Sequence, residues 1–96
     1  IIQSPVGLPG RVIRNEFVKR IIQGERMDFN CEYHCLYTCD PKKVNYCIAK
    51  ALLNASRGQM DKGFAMCGSN AWRIKKIVSV RELISELTAE ARAALL

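Results

Sequence analysis

Asp40-Pro41-Lys42-Lys43-Val44-Asn45-Tyr46-Cys47-Ile48-Ala49-Lys50-Ala51-Leu52-Leu53-Asn54-Ala55-Ser56-Arg57-Gly58 is a helix written in full, and it sets the fold class. Val44, Cys47, Ile48, Ala51, Leu52 and Ala55 recur at the spacing of one helical face, opposite Lys43, Lys50, Asn54 and Arg57. Asp40 is an N-cap type that accepts from unpaired backbone N–H groups, and Pro41 suits the first helical position. Gly58 closes the element.

Two more helices flank it. From Arg11, Ile13, Phe17 and Ile21 form a stripe that Val18 and Ile22 widen, and Gly24 ends it. Ser79 with Glu82 three residues on is a capping box. It predicts a last helix over about 80–94, with Val80, Leu83, Ile84, Leu87, Ala91, Ala94 and Leu95 on its apolar side and Glu82, Glu86 and Glu90 opposite. Residues 3–10 carry two prolines and two glycines and read as turn. Phe64 to Cys67 is a brief strand or a buried extended link. The expected fold is mainly α: a small helical unit of about three amphipathic helices with a cysteine-rich connection over about 25–47. Their greasy sides could cover one another or face a larger body.

At 96 residues the chain is one domain at most. The hydrophobic share of 49% and charged share of 25% are those of a globular protein. The net charge of +6 is scattered and forms no basic block. This argues against nucleic acid and for solvated helix faces. The opening Ile1-Ile2 is broken at once by Gln3, Ser4 and Pro5, so it is neither a signal peptide nor a membrane span. Starting without Met, it reads as a piece of a longer protein. Five cysteines, an odd number, fit reduced thiols in the cytoplasm better than a secreted disulfide scaffold.

Cys31, Cys35, Cys39 and Cys47 are spaced C-x3-C-x3-C-x7-C, and a short helix would align the first three. Such a cluster can bind zinc or an iron–sulfur cluster, with His34 as a substitute ligand. It can also be a set of free thiols or form disulfides, Cys47 then belonging to the helical core stripe. Cys67-Gly68-Ser69-Asn70 is the second candidate: a glycine turn whose backbone N–H groups could approach an anion, or one that caps a helix. Trp72 reads as core, or with Arg73 as a grip on a planar ligand. No GxGxxG, P-loop, HExxH or histidine relay occurs in the sequence, and no residue is assigned a catalytic role.

Taken in order, Ser4-Pro5-Val6-Gly7-Leu8-Pro9-Gly10-Arg11, Cys39-Asp40-Pro41 with Tyr46-Cys47-Ile48, Cys67-Gly68-Ser69-Asn70-Ala71-Trp72-Arg73 and Lys76 to Leu83 resemble the C-terminal portion of the nitronate monooxygenase family. These flavoenzymes, formerly called 2-nitropropane dioxygenases, include the type II enoyl-acyl-carrier-protein reductases. The resemblance implies a parent built on an FMN-binding TIM barrel, onto which these helices would pack. It implies oxidation of an alkyl nitronate by dioxygen, or NAD(P)H-dependent reduction of an enoyl thioester. The flavin-binding glycine loops would lie upstream, so the chain would not be catalytic alone. Gly68, Ser69 and Asn70 would then approach the flavin or the small-molecule substrate. The expected partner is the N-terminal barrel of the same protein, and exposed helix sides on a separated piece would favour self-association. The chain departs from the expected C-x2-C spacing at Cys31–Cys35, and has Trp72 where Tyr is expected. The rival reading is a free-standing module that uses Cys31, Cys35, Cys39 and Cys47 to hold zinc or an iron–sulfur cluster.

Overall fold

The computed structural model describes residues 1–95. Along the chain, β1 (Ile2–Gln3) and β2 (Pro9–Gly10) are followed by α1 (Glu16–Ile22), α2 (Ile48–Ser56), a 3-10 turn (Ala71–Arg73) and α3 (Val80–Leu95). The predicted mainly helical class is what the structure shows. The two short strands were not foreseen. They pair antiparallel, Ile2 opposite Gly10 and Gln3 opposite Pro9, around a turn in which Gly7 adopts φ +89°. That turn was legible in the glycines and prolines; the ladder on either side of it was not.

The core is small and aromatic. Phe17, Tyr46 and Phe64 meet with ring centroids 5.8–6.0 Å apart, two of the three pairs edge-on. Ile2, Val18, Ile21 and Ala51 complete the core, with Val12, Met27 and Ile48 packed against it. Tyr46 donates its hydroxyl to the Gln3 carbonyl at 3.4 Å. Burial pushes the Tyr46 phenol up to about 12. The neutral phenol is the folded form, so its stabilisation is full below the ordinary tyrosine value of about 10. It is lost as pH rises through about 12. Alkaline unfolding should therefore set in between these values, and Tyr46→Phe should remove that contribution.

α1 starts five residues later than its stripe suggested. Arg11 to Arg14 are extended because they pair with the 65–67 segment: Val12 bridges Met66, Ile13 N–H donates to the Ala65 carbonyl, and Cys67 N–H to the Arg11 carbonyl, both at 3.0 Å. Phe64 to Cys67 is thus an extended link with a single bridge rather than a strand, buried at Phe64 but half exposed at Met66. The pairing takes Ile13 out of the helix and leaves it 52% exposed; Ile22 is also exposed. Asn15 is the actual N-cap, its Oδ1 accepting from Val18 N–H at 2.9 Å. Its Nδ2 donates to the Met60 and Gly63 carbonyls. Asn15→Ala removes the cap and both tertiary bonds, and should cost about 2 kcal/mol in urea unfolding.

α2 also begins late. Asp40 does accept from Lys42 N–H, and its carbonyl takes the Lys43 and Val44 N–H groups, but the result is an isolated turn. Three ties prevent its continuation as helix. The Arg26 guanidinium donates to the Val44 and Pro41 carbonyls. Asn45 Nδ2 reaches the Ile21 and Glu25 carbonyls at the end of α1. Tyr46 is drawn into the core, and Cys47 takes the N-cap position of α2 without a side-chain cap bond. Asn54, expected on the solvent side, is buried and donates to the Lys62 carbonyl, while Leu52 of the expected stripe is exposed.

α3 matches its prediction, capping box included: Ser79 N–H donates to Glu82 Oε2 at 3.0 Å and Glu82 N–H to Ser79 Oγ at 3.1 Å. It buries none of its described residues, and Val80, Leu83, Ile84, Leu87 and Leu95 are all exposed. α1 and α2 therefore share the core, while α3 packs its apolar side on neither. The radius of gyration is 16.8 Å, against about 12.5 Å for a compact chain of this length. Extents of 54 × 25 × 24 Å reflect the projecting helix. Trp72, read as core or as part of a ligand grip, is 71% exposed. No helix among the described residues is long and apolar enough to cross a membrane.

Candidate functional site: a thiol-lined cavity and an exposed glycine turn

The connection from Glu25 to Cys47 is irregular, anchored at both ends and folded back on itself in the middle. Met27 N–H donates to the Asn45 carbonyl at 2.7 Å, joining its two ends. The Arg26 guanidinium lies 4.9 Å from the centre of the Phe29 ring, fixing the entry. The short helix that would have aligned Cys31, Cys35 and Cys39 does not form. Instead the chain bends at Tyr33, His34 takes the left-handed conformation with φ 45°, and a turn closed by Cys39 N–H to the Leu36 carbonyl follows. Two reversals in nine residues do by folding what a helix would have done by periodicity.

The outcome is a cavity of about 350 Å³ with all four cysteines of the cluster in its wall. Pro5 and Val6 from the β1–β2 turn close one side, and Phe29, Leu36, Val44 and Ile48 make the lining apolar. Nothing in the sequence signalled that the N-terminal turn would reach this loop. Cys31, Cys39 and Cys47 are half-buried, Cys35 is exposed, and all are free thiols. Burial pushes the Cys39 thiol up, and the neighbouring Cys35, Cys31 and Cys47 with Asp40 push it further. Cys31 Sγ lies 3.9 Å from His34 Nδ1. Among the described residues, no three His, Cys, Asp or Glu side chains stand close enough together to share a metal ion. The expected ligand set of Cys31, Cys35, Cys39 and Cys47 is thus gathered around one space without being assembled into a coordination shell.

Gly68, Ser69 and Asn70 lie elsewhere and do not contribute to that wall. They form an exposed turn between the Val12–Met66 bridge and the 3-10 turn, closed by Ala71 N–H to the Gly68 carbonyl at 3.3 Å. A Cβ on Gly68 would meet nothing within 4 Å. Asn70 does not cap the 3-10 turn with its side chain. The Ser69 hydroxyl and Asn70 carboxamide are therefore exposed and uncommitted among the described residues. They can form one edge of a polar ligand site whose other walls come from elsewhere.

No curated protein and no solved structure matches the chain. A family model described as nitronate monooxygenase matches residues 1–90. The match runs from the β1–β2 turn through the cysteine loop and the glycine turn into α3, and the chain belongs to the nitronate monooxygenase family.

Proposed function

We propose that this chain works as the C-terminal helical part of an FMN-dependent oxidoreductase that oxidises alkyl nitronates with dioxygen, and that it is not catalytic alone. The family match over residues 1–90 carries the proposal. Free thiols are consistent with a cytoplasmic protein.

The glycine turn fits one edge of a flavin site, because the Ser69 and Asn70 side chains are exposed and committed to nothing else among the described residues. Ser69 Oγ and Asn70 would hold the cofactor or nitronate by hydrogen bonds, and Gly68 leaves the approach to them unobstructed. Bound FMN supplies the redox chemistry; the residues here bind and orient.

α3 supports the same reading. A helix of sixteen residues is marginal in water without packing, and α3 buries none of its described side chains. The side formed by Val80, Leu83, Ile84 and Leu87 would seat on the FMN-binding barrel of the same protein. Each side chain fully covered there would contribute about 1.5–3 kcal/mol.

The test uses the flavin-loaded full-length protein. Oxygen uptake is expected on addition of an alkyl nitronate. Ser69→Ala and Asn70→Ala should each weaken flavin or nitronate binding by up to about tenfold, one hydrogen bond's worth. A full-length protein that binds no flavin, or variants that leave both affinities unchanged, would contradict the proposal.

A further inference from the structure

We infer that a second cavity, on the charged side of α2, binds a phosphate monoester with an apolar body, held by Lys50, Arg57 and Lys62. The inference does not depend on the flavin reading. Lys50 and Asn54 of α2 and Arg57 at its C-cap stand at i, i+4 and i+7, so they leave the helix on one side. Such a row is ordinarily a solvated face, but here the chain returns over it. Gln59 N–H donates to the Asn54 carbonyl at 2.9 Å, and Asn54 Nδ2 donates to the Lys62 carbonyl at 3.0 Å. With this return and the segment from Met27 to Phe29 in its wall, the cavity measures about 520 Å³. That is the size of a small-molecule site, roughly 300–1,000 Å³.

Four cations face two carboxylates in the lining: Arg20, Lys50, Arg57 and Lys62 against Asp28 and Asp61. Arg20 is taken up by Glu25, in hydrogen bonds of 2.6 and 3.0 Å. Lys50 Nζ lies 3.9 Å from Glu32 Oε1, too long for a hydrogen bond. Among the described residues Arg57 and Lys62 form no ion pair, and neither do Asp28 and Asp61. The positive charge of the wall is therefore not neutralised in place. A guanidinium takes two phosphate oxygens through its fork, and ammonium groups add charge for the dianion. Lys50 and Arg57 are about 10.5 Å apart along the helix axis, a gap that two long side chains close onto one phosphate from either end. Met27 and Phe29 are half-buried and give the rest of the ligand an apolar surface. Asp28 and Asp61 repel further negative charge, which selects a single phosphate over a polyphosphate or a nucleic acid.

Phenyl phosphate is the probe, titrated calorimetrically into the full-length protein beside inorganic phosphate and phenol. Phenyl phosphate should bind more tightly than inorganic phosphate, and phenol should not bind measurably. Arg57→Gln and Lys62→Gln should each weaken phenyl phosphate about tenfold, with unchanged urea midpoints. Asp61→Asn should tighten it about threefold, an effect of charge that loss of structure would not produce. Three results would overturn the inference: no binding of either phosphate, phenol binding as tightly as phenyl phosphate, or an unchanged affinity in the Arg57→Gln/Lys62→Gln double variant. The last would put the probe elsewhere on the protein.

Discussion

Phe64→Ala is expected to cost about 3–5 kcal/mol in urea unfolding, a large share of the stability of a domain this small. Phe64 is fully buried. It closes the aromatic triangle, 6.0 Å from Phe17 and 5.8 Å from Tyr46 between ring centres. These three rings come from three separate parts of the chain: α1, the segment before α2, and the link after it. The surrounding side chains cannot collapse into the space, because the backbone on either side of Phe64 is fixed. Ala65 accepts from Ile13 N–H, and Gly63 accepts from Asn15 Nδ2 at 2.9 Å. Removing the ring therefore adds a cavity cost to the lost burial. Phe64→Leu should lose less, since it retains most of the volume. A loss below about 1 kcal/mol for the alanine variant would mean that the triangle is not the core.

Gly63→Ala should be nearly as damaging, at about 3 kcal/mol or more, although it adds a single methyl group. That methyl would overlap the Ala51 carbonyl oxygen and lie 3.0 Å from the Ala51 carbonyl carbon and 3.1 Å from the Ala55 nitrogen. All three atoms are α2 backbone, which cannot swing aside as a flexible side chain would. The approach is also clamped. Asn54 on α2 holds the Lys62 carbonyl at 3.0 Å, and Asn15 at the head of α1 holds Gly63. By contrast, Gly68→Ala meets open space and should leave stability within about 0.5 kcal/mol. Urea midpoints for the two alanine variants separate these cases directly. Equal midpoints would show that the close approach of the Gly63 segment to α2 is not maintained in solution.

Legibility in the sequence followed the range of the interactions involved. α3 was readable almost to the residue because its determinants are local: Ser79 and Glu82 satisfy each other three positions apart, and its apolar side repeats without interruption. The ends of α1 and α2 nearest the core were misplaced because distant partners decide them. Val12 pairs with Met66, and Asn45 bonds back to Ile21 and Glu25, ties that no window of a dozen residues contains. Asn54 looked like a surface amide and is a buried one, because its partner carbonyl at Lys62 comes from beyond the helix. Trp72 was read as core, or with Arg73 as a grip on a planar ligand, and the structure leaves it exposed.

The candidate sites divide in the same way. Cys31, Cys35, Cys39 and Cys47 were picked out by spacing, and they do line one cavity, but through a bend and a turn rather than a helix face. The contribution of Pro5 and Val6 to that cavity, and the Cys31–His34 contact, depend on tertiary placement and left no trace in the pattern. Gly68, Ser69 and Asn70 were singled out as a glycine turn and tied to a flavin or substrate by the resemblance; their turn is exposed, with side-chain donors uncommitted among the described residues.

Amide hydrogen exchange across α3 in the flavin-loaded full-length protein tests most directly whether this chain serves as the helical cover of a flavin-bearing body. The account predicts strong protection of the amides from about Leu83 to Leu87, together with loss of that protection and of bound flavin when Leu83 and Leu87 are both replaced by Asp. Exchange at the rate of a frayed, unpacked helix in the intact protein, with flavin still bound, would contradict it.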